Sequence, residues 1–404
     1  MSTHFIRPDI LAQSAYQVAD VPADFIKLDA MEVPYTFPEE LQKQLAEQLV
    51  NTPINRYPNI ASSGIQAALR QTFHIPETTA IALGNGSDEL IQFLTLLVAQ
   101  PNAVMLALEP SFVMYRRNAE LFGMQYVGIP LTPDFSLNKQ AVLDAIAQHN
   151  PAIIFIAYPN NPTGVPFIRS DIEEIIQAAS GLVVIDEAYG AFSEDSFIAQ
   201  AGQPENLIIM RTLSKIGFAG LRLGYAVGSP IVLNELTKIL PPYNINQLSL
   251  TAAKFALQHF DIIEKNIETL KDERQHLFTE LALLDDVTVY PSQANFLTIK
   301  VPDAQYAFNK LKENKILVKN LHHAHPFLAN CLRLTIGTPI ENAHVLRVLR
   351  DVIAEHNQQK HRGLMAITQK VNNQKLMRNI LITLAIFLLF SIFVGVVYFS
   401  TINP

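Results

Sequence analysis

Cysteine is almost absent from this chain. Cys331 is the single example in 404 residues, which excludes an intramolecular disulfide and suits a reducing compartment. A lone thiol reads as a small buried residue and not as a nucleophile. Charge is scarce too, at 17% of side chains against 49% hydrophobic ones, so the chain is not disordered and can bury a sizeable core, enough for two lobes. The formal net charge is -7, and the first 350 residues contain no basic run. Nucleic acid is thereby a poor partner and a small metabolite a better one. The opening segment MSTHFIRPDILAQSAYQ lacks the uninterrupted apolar core of a signal peptide, so nothing in it directs the main body out of the cytoplasm. No internal repeat is present.

Long apolar runs are also missing, with one exception. From Ile380 to Phe399, ILITLAIFLLFSIFVGVVYF, twenty residues carry no charge. At 1.5 Å of rise each they reach about 30 Å, one hydrocarbon thickness, and are predicted to form a transmembrane helix. Lys370, Lys375 and Arg378 precede this run and no basic residue follows it, which places the upstream chain on the cytoplasmic side of an inner membrane. Residues 356–379, rich in amide and basic side chains, read as a polar linker. Met365 could serve as a start codon, so the tail is either this chain's own anchor or a short membrane protein joined to it.

What the body does contain is an alternation of short apolar runs with helical patterns. AVMLAL (103–108), AIIFIAY (152–158), LVVIDEA (182–188) and LIIM (207–210) read as buried strands, and Ser170–Ala179 carries apolar residues at helical spacing. That predicts an α/β body on a largely parallel sheet. A long helical region runs from Leu250 to about Leu284, and VTVYPSQANFLTIKV and KILVKN then alternate with helices, a second α+β lobe. Leu90, Phe93 and Leu97, at helical spacing, read as core packing.

Four segments fall in loops just past predicted strands. In RTLSKIGFAGLRLGY (211–225), Lys215 sits among hydroxyls and glycines, with Arg222 seven residues on. GNGSDE (84–89) would expose backbone N–H groups and a positive helix end to a phosphate, although a plain helix start capped by Ser87 or Asp88 explains it equally well. It lacks the Walker lysine and the third glycine of the dinucleotide fingerprint. YPNNPTG (158–164) is a rigid polar turn. Asp186 ends an otherwise apolar strand, where an unpaired carboxylate is expensive and calls for a cation. A phosphate cup, a buried acid, an amide donor and an amine are together what pyridoxal phosphate needs. Lys215 would bond the cofactor aldehyde, yield to a substrate amine and then move the proton from the substrate α-carbon. Asp186 would keep the ring nitrogen protonated. Thr212, Ser214 and Arg222, with the amides of Gly86 and Ser87 and the neighbouring Asp88, would form the phosphate site.

The ordered set GNGSDE, EPSFVMY, YPNNPTG, VVIDEAY, TLSK-x6-LRLGY and NCLRLTIGTP resembles the fold-type I aminotransferases, and among them the histidinol-phosphate aminotransferases, over roughly residues 5–355. The resemblance implies an N-terminal arm (1–50) joining a smaller domain (246–355), and a large cofactor domain (51–245). It implies that Asn161 and Tyr189 bond the cofactor's phenolic oxygen, that Tyr189 belongs with Lys215 and Asp186 to the catalytic set, and that Phe112 stacks on the ring. Arg333 would bind an acidic group of the substrate, with Tyr16 and Lys319 as further substrate contacts. Lys319 stands where many members have arginine, and Val33 where asparagine is usual. Tyr57 resembles a tyrosine that reaches the cofactor phosphate of a neighbouring subunit, which implies a homodimer. The implied reaction is transfer of an amino group from a small donor to a 2-oxo acid. An aromatic or broad amino-acid aminotransferase, a phospho-amino-acid decarboxylase and a non-catalytic membrane-tethered scaffold are the alternatives. His322, His323 and His325 in LHHAHP read as a polar loop, and no metal is expected.

Overall fold

The computed structural model describes residues 5–15 and 20–402. It divides into a unit of residues 1–349 and a C-terminal unit of residues 350–404.

The first unit holds two sheets. Strand β1 is Ile26–Leu28; β2 to β8 are Ala80–Asn85, Val104–Glu109, Gln125–Pro130, Ile153–Ala157, Leu182–Asp186, Leu207–Thr212 and Leu223–Gly228; β9 to β12 are Thr288–Val289, Phe296–Lys300, Ile316–Asn320 and Cys331–Thr335. The larger sheet runs β2-β8-β7-β6-β5-β3-β4. Its β4-β3-β5-β6-β7 ladder is parallel, and β8 runs antiparallel to both β7 and β2. The sheet is therefore parallel apart from one strand. Every side chain of β5 (IIFIA) is buried, as expected for a strand covered on both faces. Leu90, Ile91 and Leu94 of the helix Ser87–Val98 are fully buried in the cluster that includes Met105, Phe155 and Tyr115, and Phe93 and Leu97 pack at its margin. Each fully buried leucine is worth roughly 1.5–3 kcal/mol over its exposed state.

The smaller sheet runs β1-β11-β12-β10-β9. Its first strand comes from the N-terminal segment and pairs in parallel with β11, joining Ile26 to Ile316. Two helices, Gln247–Gln258 and Phe260–Ala282, occupy the region read as one long helical stretch, with Asn246 capping the first through the amide of Ser249. Cys331 is buried in β12, and burial pushes its thiol up to about 11.

The final helix, Pro339–Ile402, passes through both units. Residues 356–379, read as a polar linker, are helical. Within the C-terminal unit Thr368–Ile392 is long and apolar enough to cross a membrane, with mean hydropathy 1.8 and none of it buried in protein.

Candidate active site

The parallel strands of the larger sheet end together, and the residues just beyond those ends line one cavity of about 550 Å³. Ser87 and Asp88 follow β2, Asn161 follows β5, Asp186 closes β6, and Thr212 closes β7. Lys215 stands in the 3-10 turn Leu213–Ile216 directly after β7, and Phe112, Tyr189, Ser214 and Arg222 complete the wall among the residues singled out in the sequence.

One end of the cavity is built for an anion. The helix Ser87–Val98 starts there with Gly86 as its N-cap, not Ser87 or Asp88, both of which are already helical. Gly86 has φ 78°, which glycine adopts without strain, and a Cβ on it would lie 2.5 Å from Arg222 Nη2. The guanidinium can approach the helix end because nothing projects there. Arg222 itself holds φ 49°. Its Nη1 is 3.5 Å from Ser214 Oγ, and its Nη2 lies 3.2 Å from a carboxylate oxygen of Asp88 in a half-exposed ion pair. Thr212 Oγ1 donates to Ser214 Oγ at 2.9 Å and accepts the Ser214 N–H at 3.1 Å. Hydroxyls, a guanidinium and a helix N-terminus converge on one spot.

Asp186 and Glu187 are both buried, yet their surroundings differ. Glu187 pairs with Arg211, whose Nη2 lies 2.7 Å from Oε2, and accepts from Ser196 and the Phe197 amide. Asp186 accepts from Tyr115 Oη at 2.7 Å and from the Ala188 amide at 3.1 Å, and among the described residues no cation lies within ion-pair distance. Burial raises its pKa to about 6 against the pull of the Tyr115 hydrogen bond. Such a carboxylate is poised for a cation that arrives with a ligand.

Lys215 donates to the backbone oxygen of Ala30 at 3.1 Å, and its Nζ lies 5.9 Å from the centre of the Tyr189 ring. Burial, and then the charge of Arg333, lower its pKa to about 8. Near neutrality a usable fraction of this amine is therefore unprotonated.

Beyond Phe112, Asn161 and Met31, which line both spaces, the cavity opens into a cleft of about 1120 Å³ reached by Lys319 and Arg333. Arg333 is 8% exposed. It donates from Nη1 to Asn161 Oδ1 at 2.5 Å and from Nη2 to the Asp29 carbonyl at 2.9 Å. With its oxygen so occupied, Asn161 turns amide N–H groups toward other partners. Lys319 and Arg333 are register partners across β11 and β12.

Tyr57 lies away from this cavity, 81% exposed and stacked on Tyr243 at 4.6 Å. Tyr16 falls outside the described residues. Among those described, no group of three metal-ligating side chains occurs; His322 instead accepts the Asn330 amide on Nδ1. The sequence reading missed Tyr115, fully buried, stacked on Phe155 at 4.7 Å and edge-on to Phe112 at 5.7 Å. Its helix, MYRRNAEL, gives only the apolar spacing of a core residue. It also missed Met31 in the wall.

The donor set fits pyridoxal phosphate: an anion cup for the phosphate, a buried acid without a cation for the ring nitrogen, and an amine of lowered pKa in the same cavity. Residues 23–349 match the model of the family described as Aminotransferase class I and II. A histidinol-phosphate aminotransferase of Neisseria meningitidis serogroup C is 59% identical over 354 residues, covering 87% of this chain and 97% of the relative. One from Chromobacterium violaceum is 52% identical over 345 residues, covering 85% and 97%. The solved histidinol-phosphate aminotransferase from Sinorhizobium meliloti in complex with pyridoxal-5'-phosphate shares the fold with a TM-score of 0.76 at 21% identity, over 88% of this chain and 99% of that one.

Proposed function

This chain belongs to the class I and II aminotransferases, and within them to the histidinol-phosphate aminotransferase family; from that premise we propose that it interconverts histidinol phosphate plus 2-oxoglutarate with imidazole-acetol phosphate plus glutamate, in histidine biosynthesis. It is a fold-type I transaminase dependent on pyridoxal 5'-phosphate. When bound, the cofactor supplies an aldehyde for the substrate amine and an electron-poor ring that stabilises the carbanion left by loss of the α-proton.

Everything else falls to side chains. Thr212, Ser214, Arg222 and the amides at Gly86 and Ser87 would hold the cofactor phosphate, with Asp88 keeping Arg222 in place. Asp186 would accept the ring N–H, Asn161 and Tyr189 would face the phenolic oxygen, and Phe112 would cover the ring. Lys215 Nζ would take the α-proton and return it, and its lowered pKa supports that work near neutral pH. Lys319 and Arg333 would hold the acidic groups of the substrate. The masked position of Tyr16 leaves its substrate contact as an expectation from family resemblance. Exposed Tyr57 suits a contact made in a second copy, at that copy's cofactor phosphate, and so a homodimer. The body would lie in the cytoplasm, with Thr368–Ile392 supporting anchorage to the inner membrane.

The observation that carries the reading is the continuity of the two spaces: Lys215 and the uncompensated Asp186 in one, opening onto the paired cations Lys319 and Arg333 in the other. Product analysis tests it. Purified protein given histidinol phosphate and 2-oxoglutarate should yield glutamate, and Lys215→Ala should yield none while keeping its fold. Faster conversion of phenylalanine than of histidinol phosphate would favour an aromatic aminotransferase, and CO2 release from a phospho-amino acid without glutamate would favour a decarboxylase.

A further inference from the structure

The proposed reaction uses the larger cleft only at its basic end, where Lys319 and Arg333 lie. The same cleft has a second polar wall made by Glu109, Arg116, Tyr126 and His325. Glu109 is the last residue of β3, and its Oε1 accepts from Arg116 Nε at 3.2 Å and Nη2 at 2.6 Å. The Arg116 guanidinium lies 4.3 Å from the Tyr126 ring centre, which fixes it from behind. Gly128 on β4 leaves room for the carboxylate, since a Cβ there would come within 2.6 Å of Oε2. The acid is thus held ionised and in one place, with its side chain still 24% exposed.

His325 reaches the same wall from the loop between β11 and β12, the loop whose histidine run suggested a metal and holds none among the described residues. Its Nδ1 accepts the backbone N–H of Phe327 at 3.2 Å. A nitrogen that accepts carries no proton, so in the neutral ring the proton sits on Nε2. Burial lowers the pKa of this imidazole, and Arg116 acts in the same direction against Glu109, so the neutral form is favoured. The wall therefore presents one anchored acceptor and one donor of fixed tautomer, between the buried side chains of Leu321 and Leu328.

A neutral azole ring carries one N–H donor and one bare nitrogen acceptor. We propose that Glu109 and His325 form the subsite that selects an imidazole-type side chain on the substrate, Glu109 accepting the ring N–H and His325 Nε2–H donating to the bare nitrogen. This assignment rests on the proposed reaction, in which the substrate phosphate takes the cationic end of the cleft and leaves the side chain to face the opposite wall. A phenyl ring of similar size fills the space but leaves both polar groups without partners, and a site built for hydrogen bonds rejects such an analogue more strongly than an apolar pocket does.

The test compares histidinol phosphate with its phenyl counterpart, 2-amino-3-phenylpropyl phosphate, on full-length holoenzyme carrying Glu109→Gln or His325→Phe. The ratio of kcat/KM between the two substrates should fall about tenfold or more in each variant, the loss of one hydrogen bond at a desolvated contact. His325→Gln, which keeps an N–H near the Nε2 position, should recover part of that ratio and serves if His325→Phe does not fold. An equal loss for both substrates, or a ratio that moves in neither variant or in one alone, overturns the paired subsite. A parent enzyme that converts no histidinol phosphate overturns the proposed reaction, and this inference with it, whereas a parent that converts it while the ratio stays fixed overturns the subsite alone.

Discussion

Asp186 and Glu187 are adjacent acids with opposite energetics. Glu187 is neutralised by Arg211, so its burial is compensated within the protein. Asp186 is not, and its folded-state pKa stands at about 6 against a model value of 3.8. A raised carboxyl pKa means that the folded state holds the proton more tightly. The cost of ionising it is absent below the unfolded pKa, grows through the interval between the two values, and is fully present above the folded one. The shift corresponds to roughly 3 kcal/mol of stability withheld at neutral pH. Asp186→Asn should therefore melt higher than the parent at pH 8, both without cofactor, and at a similar temperature at pH 4, as followed by circular dichroism. The same variant should lose several orders of magnitude in single-turnover rate, because an amide cannot hold the ring proton by charge. A rate within about tenfold of the parent, about 1.4 kcal/mol of barrier, would remove Asp186 from that role. Asp186 was legible because a lone acid closed an apolar run. Tyr115, which donates to it, was not, since a tyrosine at helical spacing looks like any other core residue.

The strands rich in branched residues were visible in the sequence, and those rich in glycine were not. Runs such as AIIFIA declare themselves, whereas β2 (AIALGN), β4 (QYVGIP) and β8 (LGYAVG) carry glycines that dilute the pattern, so the antiparallel strand passed unread. Pairing matters most between β11 and β12, where Lys319 and Arg333 stand in register. Like charges directly opposite each other on neighbouring strands repel, and an anion between them relieves the repulsion. Lys319→Ala should accordingly raise the KM for histidinol phosphate, with a smaller effect on the glutamate half-reaction. Equal damage to both half-reactions would mark Lys319 as a structural or cofactor residue. No sequence pattern could have shown this pair, because the register that joins residues 319 and 333 is set by the fold of the intervening loop.

At the scale of the whole molecule, the family match ends at residue 349, where the first structural unit also ends. Val352 and Ile353 are still buried, so a cut after Glu355 preserves them. Protein truncated there should be soluble and active, while the full-length chain should sediment with membranes on fractionation. Truncated protein that is folded yet inactive would assign the tail a part in the site. Full-length protein that remains in the supernatant with the tail intact, checked by mass spectrometry, would end the anchor reading. The apolar tail was plain in the sequence, whereas the helical character of residues 356–379 was hidden by their polar composition. Tyr57 carries a different consequence, one for genetics. In the proposed dimer each cavity takes Lys215 from one chain and Tyr57 from the other, so no chain owns a complete site. Two inactive alleles, one altered at position 215 and one at 57, would combine both lesions in one cavity of the mixed dimer and leave the other cavity whole. Co-expressed in one cell, each defective copy would complement the other.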